Sequence, residues 1–254
     1  MIYIVLLFAI LFMSFIVYNL YSNYKNEKER ERKRKIARYK EVITDTDELL
    51  LNANHLPYTK TLVLVLQNRI LTALNGILEC NPSLNSIRTR TADINKQIEY
   101  VQKNYTTGED NPFVNPSNDR QALQMLKSIK KLRRVLRIEH NRGKVAPDAY
   151  LAEDRRLETL QVKINITSLL NHLHNAHVAR QWGTCKQLIS MGQQVLKAVS
   201  QPDAWLQGKQ EEIQSINESV NHEIAELNKQ DMEQSSKKEE QNELDQLFQP
   251  KKKW

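Results

Sequence analysis

Three histidines crowd one short stretch, His172-Leu173-His174-Asn175-Ala176-His177, and Cys185 follows eight residues after His177. On a helix His174 and His177 share a face, the i,i+3 arrangement that two metal ligands use. A metal centre also needs further ligands at matching spacing, and neither a second pair nor an HExxH sequence is present. The histidines therefore read as helix-surface or hairpin-packing residues, and no metal is expected. Phosphate binding through a Gly-rich loop needs clustered glycines, so that backbone N–H groups can approach the phosphates. Here Gly76, Gly108, Gly143, Gly183, Gly192 and Gly208 all stand alone. Cys80 and Cys185 fall on apolar helix faces, where a thiol behaves as a small hydrophobe. No catalytic residue and no cofactor is expected, and the chain reads as a non-enzyme.

Charge is the stronger signal. Residues 25–40, KNEKERERKRKIARYK, hold nine basic and three acidic side chains, with Lys33, Arg34, Lys35 and Arg38 at the centre. Residues 120–144 hold nine basic side chains against Glu139 alone, and Lys127, Lys130, Lys131, Arg133, Arg134 and Arg137 cluster on the polar face. The two segments together exceed the net +7 of the whole chain, so the remainder is acidic. Three partners suit the second segment: the acidic stretch 203–230, anionic lipid under an amphipathic helix, or nucleic-acid phosphate. Aromatic stacking residues are missing from it, which disfavours a single-strand-binding role.

Positioning these segments is a matter of helices. The 254 residues contain only 6 Gly and 7 Pro, where average usage gives roughly 18 and 13. That scarcity excludes sandwiches and barrels, which need many tight turns. Residues 1–21, MIYIVLLFAILFMSFIVYNLY, carry no charge. At 1.5 Å per residue they reach about 30 Å, the thickness of a bilayer's hydrocarbon core. A cleaved signal peptide would have a basic start, a shorter apolar run and a small-residue cleavage site, and none is seen. Tyr3 at one end and Tyr18, Tyr21 and Tyr24 at the other suit interfacial belts. Basic residues flanking a span stay in the cytoplasm, so the expected topology is a single pass through a bacterial inner membrane with the N-terminus outside. Lys33, Arg34, Lys35 and Arg38 would then contact the anionic membrane surface.

Beyond the anchor (1–24) the reading is all-α, in antiparallel hairpins or a bundle. A basic juxtamembrane helix (25–58) continues the span to about Asn52. A hairpin (59–105) follows, with Thr59 as helix cap and Val63, Leu66, Ile70, Leu74 and Ile77 as its seam. Asn81-Pro82 stops this helix and Ser83 opens the next, seamed by Ile87, Ile94, Ile98, Val101 and Tyr105. Residues 106–118, with one Gly, two Pro and no period, form a linker. The distal bundle (119–230) opens with Ala122, Met125, Ile129, Leu132 and Leu136 on one face. Pro147 suits a helix start, Trp182-Gly183-Thr184 reads as a corner, and Pro202 precedes a last long helix through Leu206, Ile213, Ile216, Val220, Ile224 and Leu227. Residues 231–254 read as a flexible polar tail, with 231–240 disordered. Residues 169–202 resemble a tetratricopeptide helical hairpin in Trp182, Gly183, Cys185, Ile189, Gly192 and Pro202. The first helix lacks that family's aromatic and Gly signature, and no copy recurs at its 34-residue period.

Within the tail, Gln241-Asn242-Glu243-Leu244-Asp245-Gln246-Leu247-Phe248 places Leu244, Leu247 and Phe248 on one side of an acidic helical turn. Such a stripe in a solvated tail suits docking into a partner's groove. The peptide resembles the Q-x-[DE]-[IL]-D-x-L-[LF] segment with which flagellar motor switch proteins engage a receiver domain. That resemblance implies a receiver-domain partner and a place in polar or motility machinery. The peptide is also similar to sliding-clamp-binding segments, although Leu247 stands where those have an aromatic. The expected function is a membrane-anchored cytoplasmic adaptor or scaffold, capable of self-association through its seams. The alternative is a membrane-tethered nucleic-acid-binding protein acting through 120–144.

Overall fold

The structure is a computed structural model that describes residues 2–51, 56–105, 113–199 and 202–248. The side chains of residues 2–12, 14, 16, 17, 237 and 239–248 are outside the description, and with them most of the apolar run 1–21 and the three apolar residues of the tail peptide. Residues 106–112 of the linker are likewise outside it. Among the described residues there are seven helices and no strand: α1 (Ile2–Leu51), α2 (Lys60–Cys80), α3 (Asn85–Asn104), α4 (Asp119–Asn141), α5 (Pro147–Val178), α6 (Trp182–Lys197) and α7 (Ala204–Phe248). The chain is all-helical, as its sequence predicts.

Two compact units interleave along the chain. The first comprises Met1–Val114 and Lys127–Arg156, and the second Asn115–Leu126 and Leu157–Trp254. Within the first, α2 is central. Thr59 caps it by accepting a hydrogen bond from the Leu62 N–H, and Leu66, Ile70, Leu74 and Ile77 are fully buried. This seam meets Ile36, Tyr39, Ile43 and Leu50 of α1 and Ile87, Ile94 and Ile98 of α3. Gly76 is a requirement of the close approach, because a Cβ there would lie 2.5 Å from the Tyr39 ring. At the other end of the hairpin, Tyr58 Oη donates to the Leu49 carbonyl at 2.7 Å, and Tyr105 Oη donates to the Tyr58 carbonyl at 2.7 Å. Burial pushes the Tyr58 hydroxyl well above the usual tyrosine range.

One helix among the described residues, α2, is long and apolar enough to cross a membrane, and it is not at the N-terminus. Its apolar residues are used in protein packing, and its Arg69 is ion-paired to Glu139. Length and composition are here the marks of a core helix.

The second unit is built on α5, α6 and α7. Leu170, Leu173, Cys185, Ile189, Leu196, Leu206, Ile213 and Val220 form its core, and the α7 contributors fall at intervals of one heptad. Gly192 sits where a Cβ would come within 3.0 Å of Ile213 and 3.2 Å of Leu169. Pro147 opens α5, and Asp203 caps α7 by accepting from the Leu206 N–H at 2.9 Å.

Three local expectations need correction. Ser83 does not cap α3: Leu84 occupies that position, while Ser83 Oγ donates to Asn81 Oδ1 at 2.8 Å. The corner between α5 and α6 lies at Arg180, whose φ is +53°, and Trp182 already belongs to α6. Residues 231–240 are helical, because α7 runs unbroken to Phe248. No Gly or Pro lies between Gly208 and Pro250, and the Glu, Gln, Lys and Met in between are good helix formers.

Candidate functional site

Helix α4 is fixed before its basic residues come into play. Ile129, Leu132 and Leu136 are fully buried, which turns one face inward and leaves the other to solvent. Its end is closed by Gly143 at φ +72°, with the Gly143 N–H on the His140 carbonyl at 2.8 Å and the Lys144 N–H on the Glu139 carbonyl at 3.0 Å. This is a left-handed cap that only Gly takes without strain. His140 stacks on Tyr150 of α5, ring centroids 4.4 Å apart.

The six basic residues of the patch then divide into two groups. Arg133 forms a two-pronged pair with Asp154 of α5, Nε to Oδ1 at 2.7 Å and Nη2 to Oδ2 at 2.9 Å. That pairing holds the Asp154 carboxyl below the usual carboxylate range. Lys131 Nζ lies 3.1 Å from Glu48 Oε2 of α1. The internal acids that α4 uses are thus on α1 and α5. The remaining four, Lys127, Lys130, Arg134 and Arg137, are exposed and make no ion pair among the described residues, although Arg137 adds to the field on Asp154. They stand at i, i+3, i+7 and i+10, one stripe about 15 Å long. Glu139, the sole acid of 120–144, is turned inward with 2% exposure, bound to Arg69 at 2.6 Å and Arg142 at 3.1 Å. The outward face of α4 from Lys127 to Arg137 is therefore purely cationic.

On α1, Lys33, Arg34, Lys35 and Arg38 are all exposed and make no ion pair among the described residues. Lys35 joins Tyr24, Lys28, Arg32, Glu79 and Cys80 in lining an open cleft of about 560 Å³ between α1 and the end of α2. Lys28 Nζ sits over the Tyr24 ring, 5.5 Å from its centroid.

The histidines do not converge. His172 lies 3.2 Å from Asp119, His174 3.2 Å from Glu212 and His177 3.0 Å from Glu223. Each has its own carboxylate, and among the described residues no three potential ligands gather at one point. Cys185 is fully buried in the core, and burial pushes its thiol up, away from the thiolate that reactivity needs. In the tail the backbone of 241–248 is helical, while the side chains of Leu244, Leu247 and Phe248 lie outside the described residues.

Sequence reasoning missed the residues that hold the cationic face in place: Glu48, Arg69, Glu139 and Asp154. Arg69 had a signal, being the single charge between Lys60 and Glu79 at the two ends of an apolar helix. Asp154, one of many scattered acids, had none. No family model matches the sequence, and neither a curated protein nor a solved structure is similar to it. The site's chemistry is that of a fixed positive surface, suited to holding an anion by charge.

Proposed function

We propose that this chain is a membrane-anchored scaffold, held by residues 1–21 in a bacterial inner membrane with its helical units in the cytoplasm. The supporting observation is α1, a single helix from Ile2 to Leu51. Its end packs through Tyr39 and Ile43 against α2 and α3, while Met13, Phe15, Tyr18 and Leu20 are each more than 60% exposed, with no protein over them. Apolar side chains on a helix that the fold leaves uncovered suit lipid. The nine basic residues of 25–40 retain the following chain on the cytoplasmic side, and Lys33, Arg34, Lys35 and Arg38 add attraction to anionic headgroups. In this reading the tail peptide 241–248 serves as the docking segment, through Leu244, Leu247 and Phe248, with a receiver domain as the class of partner its sequence suggests.

Carbonate washing of vesicles tests the anchor. The full chain stays in the pellet and a chain starting at Lys25 moves to the supernatant; release of the full chain refutes the reading. For the tail, alanine at Leu244, Leu247 and Phe248 abolishes crosslinking to a purified receiver domain, and undiminished crosslinking removes the docking role.

A further inference from the structure

The outward face of α4 carries charge that the fold itself does not consume. Lys127, Lys130, Arg134 and Arg137 project at successive turns, on a helix whose roll is fixed by the Arg133–Asp154 fork and by the buried Ile129, Leu132 and Leu136. Three kinds of anion could cover such a face: lipid headgroups, an acidic protein surface, or nucleic-acid phosphates.

Distance argues against lipid. On the reading of α1 as an anchor, on which this step rests, the bilayer surface lies near Tyr18–Tyr24. Lys131 is paired to Glu48, about 36 Å farther along α1 at 1.5 Å per residue. That is several times the Debye length of about 8 Å at physiological salt. Composition argues against a protein partner. Stable protein interfaces centre on apolar or aromatic anchors seated in pockets. Between Lys127 and Arg137 all the apolar side chains, Ile129, Leu132, Val135 and Leu136, are turned into the interior. A phosphate backbone needs no such anchor, only cations at regular spacing on a firm support. The lack of an exposed aromatic on the stripe points away from unstacked bases and toward a duplex.

We propose that the α4 face binds the phosphate backbone of double-stranded DNA without reading its sequence, and holds it away from the membrane surface. The test is fluorescence anisotropy of a labelled mixed-sequence duplex with the full chain in neutral phosphatidylcholine nanodiscs, titrated from 50 to 200 mM salt. Four phosphate contacts give a log–log salt slope of about −3.6. The variant K127Q/K130Q/R134Q/R137Q loses binding, and K127R/K130R/R134K/R137K keeps it. All of these positions are exposed, and circular dichroism verifies that each variant is folded. No binding at 50 mM salt, or parental binding by the four-glutamine variant, overturns the proposal. So does protection of Lys127 and Lys130 from acetylation in phosphatidylglycerol discs without DNA, which assigns the face to lipid. Failure of the anchor is read separately: carbonate releases the chain, and the anisotropy is then measured on it in solution.

Discussion

The two units solve the packing of helices by different means. In the first, a charged pair is taken inside: Arg69 and Glu139 are 11% and 2% exposed, and backbones approach closely where Gly76 lies under the Tyr39 ring. In the second, the interior is an apolar seam with Leu206, Ile213 and Val220 at heptad intervals, and the polar pairs stand at its margins, as with the His174–Glu212 contact and the Lys163–Asp203 ion pair. A buried pair is costly to leave half-made, because the surviving charge has no water to turn to. An apolar seam is indifferent to charge but sensitive to volume. The first unit should therefore fail on loss of one partner, and the second on loss of methyl groups.

The largest expected effect follows directly. Glu139→Ala strands Arg69 and destabilises the first unit by about 3–5 kcal/mol. Amide hydrogen exchange is the suitable measurement, since it reports opening locally: the amides of α2 lose protection while those of α6 keep theirs. The double replacement Arg69→Met with Glu139→Leu removes both charges and recovers most of the loss. If the single and double variants behave alike, the pair is not what distinguishes this unit. The converse substitution is Ile213→Ala, fully buried beside Gly192. It costs about 2–5 kcal/mol through lost transfer energy and a residual cavity, and its exchange signature belongs to α6 and α7 with α2 unmoved.

Gly76→Ala comes next, at about 1–3 kcal/mol, because the new methyl meets the Tyr39 ring. Combined with Tyr39→Ala its effect is less than the sum of the two single changes, the mark of a shared contact. Additive behaviour in thermal melts would contradict the close-approach argument.

These sites also show where the sequence was legible. The helical class and the seams through Leu66–Ile77, Ile94–Val101 and Ile129–Leu136 follow from a 3.6-residue period, which requires no knowledge of partners. The Thr59 cap and the Pro147 start follow from local chemistry. The interleaving of Lys127–Arg156 with the first unit does not, because periodicity says which face is buried and not what buries it. The linker at 106–118 looks like a boundary by composition, yet the division into compact units depends on long-range packing. The same limit applies to the cationic face. Its six residues are evident from spacing, but their division into paired Lys131 and Arg133 and solvent-facing Lys127, Lys130, Arg134 and Arg137 depends on where Glu48 and Asp154 arrive in space. Ser83 failed as a cap for a still more local reason, a hydroxyl drawn to the neighbouring Asn81.

Acid acts on both units, on the first through Asp154, whose carboxyl Arg133 holds low, and on the second through two carboxyls at its margin. Burial tends to raise the Asp203 and Glu212 carboxyls, but hydrogen bonds outweigh it and hold both below their ordinary range, from Lys163 and the Leu206 N–H to Asp203 and from Lys209 and His174 to Glu212. A carboxylate whose folded pKa is depressed contributes stability that is present above its unfolded value, about 4, and lost as pH falls through the folded value. The second unit should therefore lose stability below about pH 4. Asp203→Asn keeps a cap acceptor but flattens this dependence, whereas Asp203→Ala also removes the cap, at about 0.5–2 kcal/mol near neutral pH. Thermal melts from pH 6 to pH 3 check both, and an unaltered slope in Asp203→Asn would count against the assignment.

The smallest effect tests the margin of the second unit. His174 and Glu212 are 53% and 34% exposed, and His177 and Glu223 27% and 40%, so water and salt compete for each pair. Replacing both histidines by Gln should change stability by no more than about 1 kcal/mol. What difference exists in dilute buffer should vanish at 1 M salt, where the screening length falls to about 3 Å. A buried network would behave otherwise, since salt does not reach it; Glu139→Ala should therefore be as harmful at 1 M salt as in dilute buffer. If the double histidine variant proved as costly as Glu139→Ala and as insensitive to salt, the histidines would belong to the interior of the second unit, and the contrast between a charge-filled and a charge-rimmed core would fail.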